Sequence, residues 1–314
     1  MSKKGIFYAI MATLFVSLVV FSITSIAEGN RLRNSMSVIE ARVYSLNEFA
    51  HDTESDLERE LYISGFRALS SLVNYIVKNG VFLDNASSSF KEAFLNGTIN
   101  GTACSLMAGS SFDDWLPKIQ AVAGSQAMEL DIQLADVDVY HSSPWHVNVR
   151  ANASISIIDE KGIANFTQSK IVEAVIDIRG FEDPLYVANS YGRVTNKINQ
   201  TTYEGSYTTG SGPSFDPSNL EEHAANSLYA ENTAAPSYLM RLENNLGPSV
   251  YGIESFVNAE EFAEKGLDVK DKTLIDYIYF SASNPASYNV NNMPGWFLID
   301  TNHFEKYQVA GETY

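Results

Sequence analysis

The apolar and polar positions fall into distinct periods along the chain. Ile6 to Ala27 (IFYAIMATLFVSLVVFSITSIA) is 22 residues without a charge, a Pro or a Gly. As a helix it spans roughly 33 Å, enough to cross a hydrocarbon core of about 30 Å. A helix on a water-soluble body would show a polar face. Here only scattered Ser and Thr interrupt the run, and their hydroxyls can bond back to helix carbonyls. The pattern predicts a transmembrane helix over 6–27. From Glu28 to Phe49 the chain turns polar but keeps a helical repeat. Leu32, Met36, Ile39, Val43, Leu46 and Phe49 form one stripe, with Arg31, Arg33, Glu40 and Arg42 off it. Thr53-Glu54-Ser55-Asp56 reads as a capping box and predicts a second helix. Its stripe is Leu57, Leu61, Ser64 or Gly65, Ala68, Leu72 and Ile76, and Asn79-Gly80 is its C-cap. Phe66, Leu69, Val73 and Tyr75 widen that face. Gly65 and Ala68 would admit a close neighbour, whereas Glu58, Arg59 and Glu60 read as solvated charges.

Beyond Gly80 the period changes. A short helix is expected near Ser89–Leu95 and a longer one from Asp113 to about Ala127, with Pro117 in its first turn. Leu130, Ile132 and Leu134 then alternate with polar residues. Val137 and Val139 continue in the opposite phase, which predicts a bulge near Ala135-Asp136. Trp145, Val147, Val149, Ala151, Ala153, Ile155 and Ile157 hold every odd position of a long strand with one wet face. Val172, Ala174, Ile176 and Ile178 give a further strand. Together these predict an antiparallel meander. The stretch 189–219 is rich in Asn, Ser, Thr, Gly and Tyr and reads as a polar loop or linker. A short helix over Pro236–Leu246 and strands over Tyr251–Val257, Leu274–Phe280 and Trp296–Asp300 complete the pattern. The fold class expected is α+β, divided as a leader (1–5), a transmembrane helix (6–27), a helical stalk and packed helix (28–80) and an extracytoplasmic domain (81–314).

Composition sharpens this. Lys and Arg total 21 against 38 Asp and Glu, a formal charge of −17, with 45% apolar residues. Such a chain is neither disordered nor polytopic, and its acidity argues against nucleic acid as a partner. A single Cys, Cys104, excludes an intramolecular disulfide and a multi-thiolate zinc site. Cys104 sits among small residues and reads as a buried, inert thiol.

The N-terminus admits a plain anchor, a secretory signal cut after Ser25-Ile26-Ala27, or a leader cut on the cytoplasmic side with the apolar helix retained. Lys3-Lys4-Gly5 followed by Ile6-Phe7-Tyr8 resembles the class III signal of archaeal type IV pilin-like proteins. The resemblance implies processing at Lys4, Gly5 and Ile6. It also implies a helix in which Ile6, Phe7, Ala9, Ile10, Leu14 and Val19 meet lipid or sister subunits. One departure is that bacterial pilins carry Glu where Ile10 stands. The phrases GFEDPLY, SYLMRLENN, YGIESFVN and DYIYFS extend the resemblance, over most of the chain, to uncharacterised membrane-anchored surface proteins of this kind. It implies location and architecture and carries no catalytic residue.

Lys3 and Lys4 before the span are balanced by Arg31, Arg33 and Arg42 after it, so the positive-inside count decides nothing. Six glycosylation triplets, at Asn85, Asn96, Asn100, Asn152, Asn165 and Asn199, favour an outside location for the body.

For chemistry there is no G-x-S-x-G, no H-E-x-x-H and no P-loop. His51, His141, His146, His223 and His303 are scattered, with His51 expected on a helix and His146 on the wet strand face. Asp113, Asp114, Asp131, Asp136 and Asp138, or Asp300 with His303, could offer oxygen ligands to calcium, but in no EF-hand spacing. No cofactor or metal is therefore expected. The reading is a non-catalytic, single-pass surface protein with an acidic, glycosylatable ectodomain. Its partners are the lipid bilayer and other pilin-like subunits. The alternative is an anchored ligand-binding module or enzyme whose site forms only in three dimensions. A sensor ectodomain is disfavoured, because no cytoplasmic output domain is recognised.

Overall fold

The computed structural model describes residues 3–314, with side chains from Gly5 onward. Of the expected leader, Met1 and Ser2 and the side chains of Lys3 and Lys4 lie outside the described residues. Helix α1 (Lys3–Asn79) runs unbroken through both stripes. The expected second start at Thr53 is absent. Thr53 is buried, and its hydroxyl donates to the Phe49 carbonyl at 2.8 Å inside the helix instead of capping a new one. With no Pro or Gly nearby, nothing interrupts the ladder. The end is as expected: Gly80 adopts φ 67° and its N–H reaches Ile76 O at 2.8 Å.

Helix α2 (Ala86–Asn96) is capped by Asn85, whose Oδ1 accepts from Ser88 N at 2.7 Å, and stopped by Gly97 at φ 73°. A tight hairpin of β1 (Thr98–Ile99) and β2 (Thr102–Ala103) turns on Asn100 and Gly101, at φ 49° and 71°. Helix α3 (Phe112–Ser125) follows, with two acids in its first turn. The meander is β3 (Met128–Ser143), β4 (His146–Asp159) and β5 (Asn165–Asp177), in the spatial order β3-β4-β5. Burial switches phase as expected: Leu130 and Ile132, then Val137 and Val139 across Asp136 at φ 52°. The whole odd-numbered series from Trp145 to Ile157 is buried.

The contacts divide the chain into two compact units. The first holds the chain up to Ser55 with Ile119–Gln133 and Ser154–Ser169. Its core includes Leu46, Phe49, Ala50, Ala123, Met128, Leu130, Ile132, Ile155 and Ile157. Arg42 closes this unit: its guanidinium bonds to Asp159 and donates to the Ala127 carbonyl at 3.0 Å and the Gln126 carbonyl at 3.2 Å.

The second unit holds Asp56–Lys118, Leu134–Ala153 and Lys170–Tyr314. Here Leu57, Leu61, Ala68, Leu72 and Ile76 of α1 are buried, as are Val147, Val149, Val172, Ala174 and Ile176 of the sheet. Gly65 permits the close approach anticipated for it, since a Cβ there would meet Val149 Cγ2 and Ile176 Cδ1 at 3.0 Å. Glu60, expected in solvent, is buried.

The C-terminal part is built from short pieces. They are α4 (Pro184–Asn189), α5 (Ser218–Ala225), β6 (Ala230–Glu231), α6 (Tyr238–Leu242), β7 (Ile253–Glu254), α7 (Ala259–Glu264), α8 (Asp276–Phe280), β8 (Ser287–Tyr288) and β9 (Ile299–Asp300). β6 pairs with β7 and β8 with β9, both antiparallel. Two expectations change. Leu274–Phe280 is not a strand but an extended entry into α8, where Asp276 Oδ1 accepts from Tyr277 N at 2.6 Å. The strands expected around Ile253 and Ile299 shrink to two residues each. At Gly252 the chain passes against the carbonyls of Ala235 and Asn232, leaving no room for a side chain. The 189–219 stretch is irregular apart from a 3-10 turn at Gly212–Ser214 and the start of α5. Val194, Ile198, Tyr207 and Phe215 of this stretch are buried although Tyr191 is exposed, so it is part of the body rather than a linker.

Candidate functional site

The expected membrane and assembly residues stand together on the N-terminal part of α1. A stretch of that helix has a mean hydropathy of 2.4 with none of it buried. Ile6, Phe7, Ala9, Ile10, Leu14 and Val19 are all exposed. Thr13 and Thr24 return their hydroxyls to the carbonyls of Ala9 (2.9 Å) and Phe21 (2.9 Å), which leaves no unpaired donor on this surface from either side chain. Ile6, Ala9, Ile10, Thr13, Leu14 and Ser17 line a shallow furrow. Full removal of one large aliphatic or aromatic side chain from water is worth about 1.5–3 kcal/mol. Water is therefore an unfavourable medium for this segment. The stripe stays exposed through Val43 (46% exposed) and becomes buried at Leu46 (4%).

All six sequon asparagines are exposed: Asn85, Asn96, Asn100, Asn152, Asn165 and Asn199. Asn152 lies on the wet face of β4, as its alternation implied. Cys104 is half-buried rather than fully buried, and burial raises its thiol above the ordinary value. His51 is exposed on α1 and His146 half-buried on β4.

A buried ion network went unseen in the sequence. Arg241 of α6 is fully buried, with Nη1 against Asp183 and 2.8 Å from Asp276 Oδ2, while Nη2 donates to the Ile253 carbonyl. The carboxylates are satisfied elsewhere too. Asp183 accepts from Tyr229 Oη and Leu185 N, both at 2.8 Å. Asp276 accepts from Ser255 N at 3.1 Å and Ser255 Oγ at 2.9 Å. Burial alone would lower Arg241, but the two aspartates more than reverse it and hold the guanidinium charged. Burial likewise pushes Asp276 up, against the pull of Arg241.

A second group centres on Glu254. It accepts from Tyr307 Oη at 2.9 Å and Asn232 Nδ2 at 2.6 Å, and pairs with Lys306 at 2.8 Å and His303 Nε2 at 3.3 Å. His303 Nδ1 is 2.8 Å from Asp300 Oδ2, which also accepts from Thr273 at 3.0 Å. Burial works against the His303 charge, yet Asp300 and Glu254 win and push it up to about 9. Burial also works against the Glu254 charge, and His303 and Lys306 hold it down at about 2. The pair Asp300–His303, considered above as calcium ligands, is thus an internal ion pair. Among the described residues no three His, Cys, Asp or Glu side chains are arranged to hold a metal ion. Asp138 faces Arg150 at 3.6 Å, Asp131 accepts from Gln133 at 2.9 Å, and Asp114 accepts from Ser111 Oγ at 2.8 Å.

Asp183, Arg241, Glu254 and Asp276 come one each from GFEDPLY, SYLMRLENN, YGIESFVN and DYIYFS. Those phrases are where the C-terminal chain buries its charges. Chemically the network is a staple: nearly every polar atom is paired, and Lys306 is its partly exposed member. Elsewhere in this unit a groove of about 700 Å³ lies beside α1, walled by Phe66, Val73, Val77, Leu106 and Phe181, with Arg179, Glu182 and Lys197 on its polar side. No protein-family model, curated protein or solved structure matches the chain.

Proposed function

We propose that the chain is a non-catalytic, single-pass surface protein of pilin-like type. Its apolar helix sits in the lipid bilayer or against sister helices, and its acidic α+β body faces outside. The observation that carries this reading is the run of apolar side chains on α1 that none of the described residues buries. Ala9, Thr13 and Ser17, one turn apart along the furrow, are the small residues that let helices approach within a membrane. Six exposed sequon asparagines support the outward orientation, and the net charge of −17 keeps such a surface solvated.

The test is the intact mass of the native protein extracted from membranes. A mature chain starting at Ile6 supports pilin-like processing, and one starting at Met1 supports a plain tether. A chain starting at Glu28 and recovered in the aqueous fraction overturns the anchor. A second reading, an anchored ligand-binding module, is favoured by the groove beside Phe66 and Phe181. A specific small-molecule ligand protected by those side chains would establish it.

A further inference from the structure

The contacts of one buried hydroxyl in the second unit leave a proton to be accounted for. Ser64 Oγ lies within hydrogen-bond reach of Glu60 and at 2.6 Å from the Ser110 carbonyl oxygen. The hydroxyl has one proton to give, and a carbonyl oxygen only accepts. If Ser64 donates to an ionised Glu60, two oxygens face each other at 2.6 Å with no proton between them. If Glu60 is a neutral acid, both contacts are satisfied: its O–H donates to Ser64 Oγ, and Ser64 donates to Ser110.

We propose that Glu60 holds a proton at neutral pH and, through Ser64, latches the turn around Ser110 onto α1. The charged groups around it do not reverse this. Arg67 on α1 and Lys118 on α3 favour the anion and Asp114 on α3 opposes it, but burial outweighs all of them and raises the carboxyl above its ordinary range. Arg67 is turned toward Ser110 Oγ and Lys118 toward the Gly109 carbonyl at 2.8 Å, so both cations grip the same turn rather than the acid. The turn matters because Ser105, Leu106 and Ala108, just ahead of it, wall a groove of about 390 Å³ against Phe66 and Arg67. Ionising Glu60 swings the Ser64 hydroxyl to the carboxylate and frees the Ser110 carbonyl, loosening that wall. The latch is therefore closed by a proton and weakens as pH rises.

The experiment uses the full-length chain in detergent micelles. Infrared difference spectra between acidic and alkaline pH report the protonated carboxyl directly. The wild type should show at neutral pH a neutral-acid band that Glu60→Gln removes. Hydrogen exchange over residues 104–111, corrected for intrinsic base catalysis, reads the latch. In the wild type, opening should grow by up to about tenfold per pH unit between the ordinary carboxylate value and that of Glu60. Glu60→Gln, which keeps a donor, should stay closed at every pH. Ser64→Ala, which breaks the relay, should be open at every pH and lose the response. An ionised Glu60 at neutral pH would overturn the proposal, as would a wild-type pH response in either variant.

Discussion

Gly65 of α1 and Val149 of β4 stand so close that a side chain on the glycine would begin 3.0 Å from the valine methyl. Helix and sheet meet here with no intervening layer. Gly65→Leu should destabilise the protein by about 1–3 kcal/mol, the usual cost of overpacking a core. Gly65→Ala should be milder, because about 1 kcal/mol of helix propensity offsets the crowding. Urea titration of the two variants checks the order, and equal stabilities would show that Val149 yields freely.

Arg241→Met should be far less harmful than Asp276→Ala. The first removes the cation and leaves two hydrogen-bonded acids that can take up protons. The second leaves a buried guanidinium short of a partner. Breaking a buried pair from one side costs about 3–5 kcal/mol. Thermal unfolding of the two variants and of Arg241→Lys ranks them, with Lys between because it cannot reach both aspartates and the Ile253 carbonyl in one plane.

Stability should fall off on both sides of a window set by Glu254 and His303. Histidine at an ordinary 6.5 is pushed up to about 9, so its contribution is complete below about 6.5 and lost as pH rises through about 9. Glutamate at an ordinary 4.5 is held at about 2, so its contribution is complete above about 4.5 and lost as pH falls through about 2. His303→Gln should flatten the alkaline limb of a melting-temperature profile and also weaken the acid limb, because His303 helps Lys306 hold Glu254 down.

Arg42 ties the polar part of α1 to the hairpin beyond β4. Arg42→Ala should raise hydrogen exchange around Gln126–Ala127 and Asp159–Gly162 while leaving the C-terminal network untouched. Arg42→Lys should restore only part of the protection, because one ammonium nitrogen does not reproduce the spread of the three guanidinium nitrogens that serve Asp159 and two carbonyls. Exchange measured by mass spectrometry resolves these segments.

Val19→Arg places a charge in the middle of the apolar run. Insertion of such a residue costs about 2.5–3.5 kcal/mol at a helix centre. The variant should shift from the membrane fraction to the aqueous or aggregated fraction, whereas Val19→Leu should not.

Much of the fold could be read from period alone. The apolar stripes of α1 and the odd-numbered series of β4 are long enough to fix both the element and its buried face. Where the pattern is short it misleads. Leu274–Phe280 alternates like a strand, but Asp276 is drawn inside by Arg241 and accepts from the Tyr277 amide of α8. Glu60 sits among Glu58 and Arg59 and reads as one more solvated charge, yet it is buried and hydrogen-bonded to Ser64. The ion network was illegible for the same reason. Asp183, Arg241, Glu254, Asp276 and the neighbouring Asp300 and His303 come from distant parts of the chain, and irregular segments with no period of their own bring them together.

The cap on α2 has a consequence for how the surface can be decorated. Asn85 uses its oxygen to hold Ser88 N, leaving its nitrogen, the atom a glycan bonds, out of that contact. At Asn100 the nitrogen itself is engaged, donating to Tyr75 Oη at 3.2 Å. Sugar on the first asparagine leaves the architecture as it is; on the second it must take the atom that ties the hairpin to the long helix.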